Sequence, residues 1–179
     1  MPAEPLSARQ REVLDTARRL LDEEGIEALT LGRIARELGI KTPSLYKHFA
    51  SRRQLEALLI ADGLREHSEV LEATGPDLES IAAAYRSFAL AHPQLYRLMT
   101  ARPLPRDELP DGLEARAAAP LQRALGDPDL ARAAWACAHG MVQLELAGRF
   151  PVDADLDAAW EKAIRALQSA AADARHRPE

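Results

Sequence analysis

Between Thr30 and Leu55 the chain has little freedom in how it folds: TLGRIARELGIKTPSLYKHFASRRQL. Leu31, Ile34, Ala35 and Leu38 recur at i, i+3, i+4 and i+7, which is one apolar face of a helix. Gly39 follows, a residue that turns left-handed at a helix C-terminus without a Cβ penalty. Thr42 with Pro43 then opens a second helix. In that helix, expected over about Pro43 to Phe49, Leu45 and Phe49 point inward and Ser44, Tyr46, Lys47 and His48 outward. Ser51 and Gln54 make a capping box at the head of a third helix. Two short helices around a tight Gly-containing turn are a helix-turn-helix.

Charge says what the outer face meets. From Arg33 to Arg53 there are six bases (Arg33, Arg36, Lys41, Lys47, Arg52, Arg53) against the single acid Glu37, a net +5, whereas the whole chain is −5. Basic charge gathered on one element of an acidic chain is the footprint of phosphate contacts. A merely solvated helical face is the competing reading. In this motif the N-terminal part of the second helix enters the major groove. Lys41, Thr42 and Ser44 sit there, and lysine and hydroxyl side chains can read base edges. Thr30 and Arg33 flank the same groove from the first helix of the motif. Both threonines also read as helix caps.

The run LTLGRIARELGIKTPSLYKHFASRRQL resembles the DNA-binding domain of the TetR family of transcriptional regulators. Its most specific part is Leu45-Tyr46-Lys47-His48-Phe49, followed by Ser51, Arg52 and Leu55. The resemblance implies that Tyr46, Lys47 and His48 bind phosphates. It implies the same of Arg52, where a helix N-terminus also favours an anion. It further implies an all-α fold: an N-terminal helix-turn-helix DNA-binding domain over residues 1–52, then a helical ligand-binding and dimerisation domain over 53–179. Pro43 departs from the family pattern, and the DNA sequence that is read stays open.

The remainder reads as helix. Ser7 and Gln10 box the first, which carries Val13, Leu14, Ala17, Leu20 and Leu21 and ends at Gly25. The third helix of the motif is long, reaching Ala73 before Gly75-Pro76 breaks it. Further helices begin near Leu78 and Leu95. A loop with Pro103, Pro105 and Pro110 is the expected mobile segment. Then come Leu113–Leu125, which Pro120 should interrupt or kink, a helix opened by Asp127-Pro128, and a last one capped by Asp155. A loose lead-in over Met1–Leu6 and a frayed tail after Ala174 are expected.

The stretch WACAHGMVQLELAGRF, Trp135 to Phe150, is apolar nearly all round, which calls for burial on several sides. Gly140 costs about 1 kcal/mol relative to alanine inside a helix and suggests a close helix approach. The stretch resembles the Trp-His-Gly-containing C-terminal domain of one TetR branch. In that family the last two long helices pair with those of a second copy, here implying Met141, Leu144, Phe150, Trp160, Ile164 and Leu167 at a dimer interface. A single short recognition helix also offers too little contact for specific binding. The family's central cavity implies Tyr85, Phe88, His92, Tyr96, Met99, Trp135, His139 and Gln143 as ligand candidates, each with core packing as its competing reading.

Composition excludes other classes. Alanine, leucine, arginine and glutamate dominate and aromatics are few, which favours helix over strand. Cys137 is the one cysteine, expected as a small buried hydrophobe in a reducing compartment. No apolar run approaches a membrane span, and the start MPAEPLSARQ has no apolar signal core, so a cytoplasmic protein without a membrane partner is expected. There is no glycine-rich phosphate loop, no GxSxG, and no metal spacing among His48, His67, His92, His139 and His176. No enzyme, cofactor or metal is therefore expected. The expected partners are double-stranded operator DNA, a second copy of the chain, and a small, largely apolar effector. The function that follows is a ligand-responsive homodimeric repressor on a palindromic operator. The rival is a helical binding module for a small molecule or protein, without specific DNA affinity.

Overall fold

The first helix, α1 (Ala8–Glu24), starts on its capping box: Ser7 Oγ accepts the Gln10 N–H and Gln10 Oε1 accepts the Ser7 N–H. The computed structural model that contains it describes residues 6–175. Of the expected lead-in over Met1–Leu6 and tail after Ala174, residues 1–5 and 176–179 lie outside them, and Arg175 is still helical. Every regular element among the described residues is helical.

These residues form two compact units, one of residues 6–66 with 92–114 and one of 67–91 with 115–175. The expected boundary between residues 52 and 53 is not where they part, because α4 (Arg52–Ala73) runs unbroken and supplies its first part to one unit and its last turns to the other.

In the first unit α1 buries Val13, Leu14, Ala17, Leu20 and Leu21. A 3₁₀ turn at Ile26–Ala28 delivers Leu29, fully buried, to the same core. The next helix, α2 (Leu31–Glu37), begins where Thr30 Oγ1 accepts the Arg33 N–H at 3.1 Å. It ends in a Schellman motif: Gly39 at φ +65° donates to Arg36 O and Ile40 donates to Ala35 O.

The second motif helix, α3, is shorter than expected. It spans Thr42–Leu45, and the chain continues as a turn to His48. Threonine, proline and serine are weak helix formers, and so short a helix cannot sustain itself. Lys41 occupies the cap position with no side-chain bond, so Thr42 is the first helical residue and not its cap. The capping box of α4 is displaced by one residue. Ser51 Oγ accepts the Gln54 N–H at 3.1 Å, but Gln54 Oε1 reaches the Ala50 N–H at 2.7 Å. Helix α6 (Pro93–Thr100) packs on α1 and crosses α4 at Gly63. A Cβ at Gly63 would lie 2.7 Å from Met99 Sδ and 3.1 Å from both Leu95 methyls. Any larger residue there would force the Met99 and Leu95 side chains to shift.

In the second unit, α5 (Leu78–Ala91) and α7 (Leu113–Leu125) pack with α8 (Pro128–Leu146) and α9 (Leu156–Arg175) around Leu78, Leu125, Ala131, Ala134, Ile164 and Ala171. Contrary to expectation, Pro120 does not interrupt α7. Its ring is buried, and that packing offsets the lost ladder bond. Asp127 Oδ1 caps α8 through the N–H groups of Asp129 and Leu130, and Asp155 Oδ1 caps α9 through Ala158. Arg86 ties three helices together. It holds Glu145 by two bonds (3.0 and 2.8 Å) and Asp157 at 2.6 Å, and lies 5.8 Å from the Trp160 ring centre.

The turn of the motif depends on the left-handed backbone at Gly39. Gly39→Ala should lower unfolding free energy by about 1–2 kcal/mol, since no neighbouring atom would compensate the strain. Urea unfolding of the two proteins side by side checks this, and an unchanged midpoint contradicts it.

Candidate nucleic-acid interface

Leu45 and Phe49, 0% and 1% exposed, anchor the recognition segment in the core and fix which side chains remain outside. Lys41 and Lys47 are exposed, Tyr46 is 57% exposed, and Thr42, Ser44 and His48 are half-buried at the same surface. The turn after α3 is held from below, where Gln10 Nε2 donates to His48 O at 3.3 Å. Thr30 is exposed, with its hydroxyl oxygen already accepting the Arg33 N–H, so its cap role is established.

Arg33 and Arg52 are engaged in ion pairs. Arg33 is fastened to Glu37 at 2.6 Å and to Glu24 at 2.7 Å, and Arg19 reaches the other Glu37 oxygen at 2.6 Å. The Arg33 and Arg19 guanidiniums hold the Glu37 carboxyl below the ordinary range, and Glu37 and Glu24 raise Arg33 in turn. Arg52 binds Glu56 at 2.7 Å and donates to Ile26 O at 3.3 Å. Both arginines therefore join α1, α2 and α4 to their neighbours, and neither guanidinium is unpaired. Arg36, Lys41 and Lys47 make no ion pair among the described residues. The i, i+4 spacing of Arg33 with Glu37 was a visible sign of this pairing; the partner Glu24 lies on another element and was not.

The ligand candidates are divided between the units. His92, Tyr96 and Met99 belong to the first: His92 lies 3.3 Å from Arg18 and 3.4 Å from Glu66, Tyr96 is buried, and Met99 rests against Gly63. Tyr85, Phe88, Trp135, His139 and Gln143 belong to the second. There Tyr85 and Phe88 are buried and flank a residue that sequence reasoning passed over, His67, with ring centres 5.2 and 5.1 Å away. His67 is 8% exposed, and among the described residues neither ring nitrogen has a hydrogen-bond partner. Burial pushes its pKa down from 6.5 to about 4. The sign of it in the sequence was its place in register with Ile60, Gly63 and Leu71 on α4.

Helix α8 corrects three expectations. Only Ala131, Ala134 and Val142 are buried on it, while Trp135 is 53% and Leu144 45% exposed. Cys137 is exposed, so it is not a core hydrophobe. Among the described residues no atom stands within 4 Å of where a Gly140 Cβ would be, so none of their helices approaches there. Trp135 and His139 share this face with ring centres 6.0 Å apart, and partial burial lowers the His139 pKa. Of the dimer candidates, Trp160 and Ile164 lie in the chain's own core and Leu167 packs against it. Met141 and Phe150 are half-buried, and Leu144 is exposed. Among the described residues no helix is long and apolar enough to cross a membrane, and no cluster of His, Cys, Asp or Glu could hold a metal.

Residues 13–58 match the family model described as bacterial regulatory proteins, tetR family, and residues 78–167 match the tetracyclin repressor-like C-terminal domain. The uncharacterized HTH-type transcriptional regulator Rv0681 of Mycobacterium tuberculosis is 32% identical over 180 residues, 92% of this chain and 82% of that one. The crystal structure of SCO4313 superposes with a TM-score of 0.71 at 28% identity, covering 89% of this chain and 94% of that one. BioQ in complex with its double-stranded DNA operator shares the fold at 21% identity, TM-score 0.62, covering 91% and 99%.

His67 gives the second unit an acid limit. The folded state keeps the ring neutral, so its contribution is complete above pH 6.5 and is lost as pH falls towards 4. Between pH 7 and pH 5 the loss should be about 2 kcal/mol. Urea unfolding at both values should show that loss shrinking in His67→Phe; equal losses in the two proteins contradict this reading.

Proposed function

We propose a homodimeric, effector-released repressor, from the premise that the chain belongs to the TetR family of bacterial helix-turn-helix transcriptional regulators. The observation that carries its DNA face is the exposed Lys41, Tyr46 and Lys47 above the fully buried Leu45 and Phe49. In this reading Lys41, Thr42 and Ser44 meet base edges in the major groove, while Tyr46, Lys47 and His48 hold phosphates on either side. Thr30 adds its exposed edge while capping α2. Arg33 and Arg52 keep the motif in shape through their carboxylate partners. BioQ bound to its own operator supports double-stranded DNA as the partner here.

Two copies act together. A monomer would leave Trp135 and Leu144 facing water on one side of α8, with Gly140 open to a close helix approach. A second copy laid against that face covers the apolar surface and supplies the neighbour that Gly140 lacks. It also sets two recognition helices at successive major grooves, which a palindromic operator requires. Trp135, His139 and Gly140 support placing this half with the Trp-His-Gly-containing branch. By function the chain then divides into a DNA-binding part, residues 1–52, and an effector and dimerisation part, 53–179.

The effector reading rests on His67. A buried imidazole with both nitrogens unsatisfied is costly, and a small, largely apolar molecule carrying one hydrogen-bonding group would satisfy one of them. His67 stands on α4, the helix that also begins beside the recognition segment. An effector that prefers one position of α4 shifts the dimer between DNA-competent and released states by its differential affinity alone.

Substituting Tyr46 and Lys47 by alanine should weaken operator binding roughly tenfold or more, with an unchanged unfolding midpoint. Loss of Lys47 should also reduce the slope of log affinity against log salt by about 0.9. Affinity within about twofold of the parent protein would place the DNA face elsewhere. Leu144→Glu should sediment as a monomer and lose the operator; a dimer surviving that change contradicts the proposed interface.

A further inference from the structure

We propose that Arg53 is a further phosphate-binding residue of the DNA face, masked in this structure by an acidic pair from the proline loop. The inference rests on the DNA-binding reading above. Arg53 is the second residue of α4, and its Nη2 donates to both Asp107 oxygens at 2.7 Å. Its Nε is paired with Glu108 Oε1 at 2.6 Å. Two carboxylates gathered on one guanidinium offer it anionic oxygens of the kind that a phosphodiester offers. They do so at the N-terminus of a 22-residue helix, where negative charge is favoured.

Its neighbour shows why Arg53 can exchange partners. Arg52 is half-buried and committed to Glu56 on its own helix and to the Ile26 carbonyl. Arg53 and Asp107 are both exposed, at 61% and 69% of their side-chain area, while Glu108 is 26% exposed. Exposed ion pairs contribute little net stability, and a DNA phosphate is a competitor of equal charge type. The loop does not depend on the contact, since Arg106 fastens it separately to Glu114 by bonds of 2.8 and 2.6 Å. Three prolines between residues 103 and 110 limit how far Asp107 and Glu108 can stray. The acids thus act as a built-in competitor for one phosphate contact, at a residue that follows the Tyr46–His48 turn in the sequence.

The test compares binding to a short mixed-sequence DNA duplex across a salt series for four proteins. These are the parent chain, Asp107→Asn with Glu108→Gln, Arg53→Gln, and all three changes together. The acid variant should bind severalfold tighter, with a slope of log affinity against log salt steeper by about 0.9 for each Arg53 engaged. Arg53→Gln should weaken binding less in the parent than in the acid variant, where it should abolish the gain. A gain that survives Arg53→Gln means that only net charge has changed, and it overturns the proposal. So does an acid variant that binds no tighter while the parent binds normally; the regulator reading stands in that case. A parent that binds no duplex even at low salt defeats both readings. Asp107→Asn alone, with its unfolding midpoint, serves should the double variant lose its fold.

Discussion

A helix of four residues has no stability of its own, and the recognition segment of this protein is such a helix. Everything that makes it usable comes from beneath. Leu45 and Phe49 are pinned in the core formed with α1, α2 and the first part of α4. Gln10 holds the His48 carbonyl, and the Schellman turn at Gly39 and Ile40 sets the angle at which the segment leaves α2. The exposed polar side chains are therefore presented by a scaffold, and they can be changed without removing what orients them.

Electrostatics on this surface divides into two kinds. Arg33, Arg52 and Arg53 are each held by carboxylates, whereas Lys41, Lys47 and Arg36 are not engaged in ion pairs among the described residues. A basic window of net +5 thus overstates the charge available to a phosphate backbone. Arg33 and Arg52, each with a fork of donors, join neighbouring elements of the motif. In the second unit Arg86 does the same work for α5, α8 and α9, its charge reinforced by Glu145 and then by Asp157. On α8 the apolar face left outside the chain's own core supplies the matching argument for a second copy.

The helices and their caps were legible in the sequence because each follows from local chemistry. Ser7 with Gln10, Thr30, Gly39, Asp127 and Asp155 all act as their residue types dictate. The core stripes of α1 and α2 followed from periodicity in the same way. What was not legible depends on residues distant in the chain. No spacing rule pairs Arg53 with Asp107 or Arg33 with Glu24. Nor does one distinguish Trp160, packed beneath Arg86, from Leu144, left exposed, since both are large apolar residues at helical spacing. His67 was overlooked because a histidine in an apolar stripe reads as ordinary packing until its nitrogens are found without partners. Cys137 and Gly140 misled for a related reason: an all-round apolar helix implies burial but does not say by which chain.

The central claim is that two copies of this scaffold read one DNA site together. Selection of bound sequences from a random duplex pool, at near-physiological salt so that non-specific phosphate binding is suppressed, tests it most directly. The account predicts an inverted repeat whose half-sites are separated by whole turns of the double helix. Recovery of a single unpaired half-site, or of no sequence above background, would contradict it.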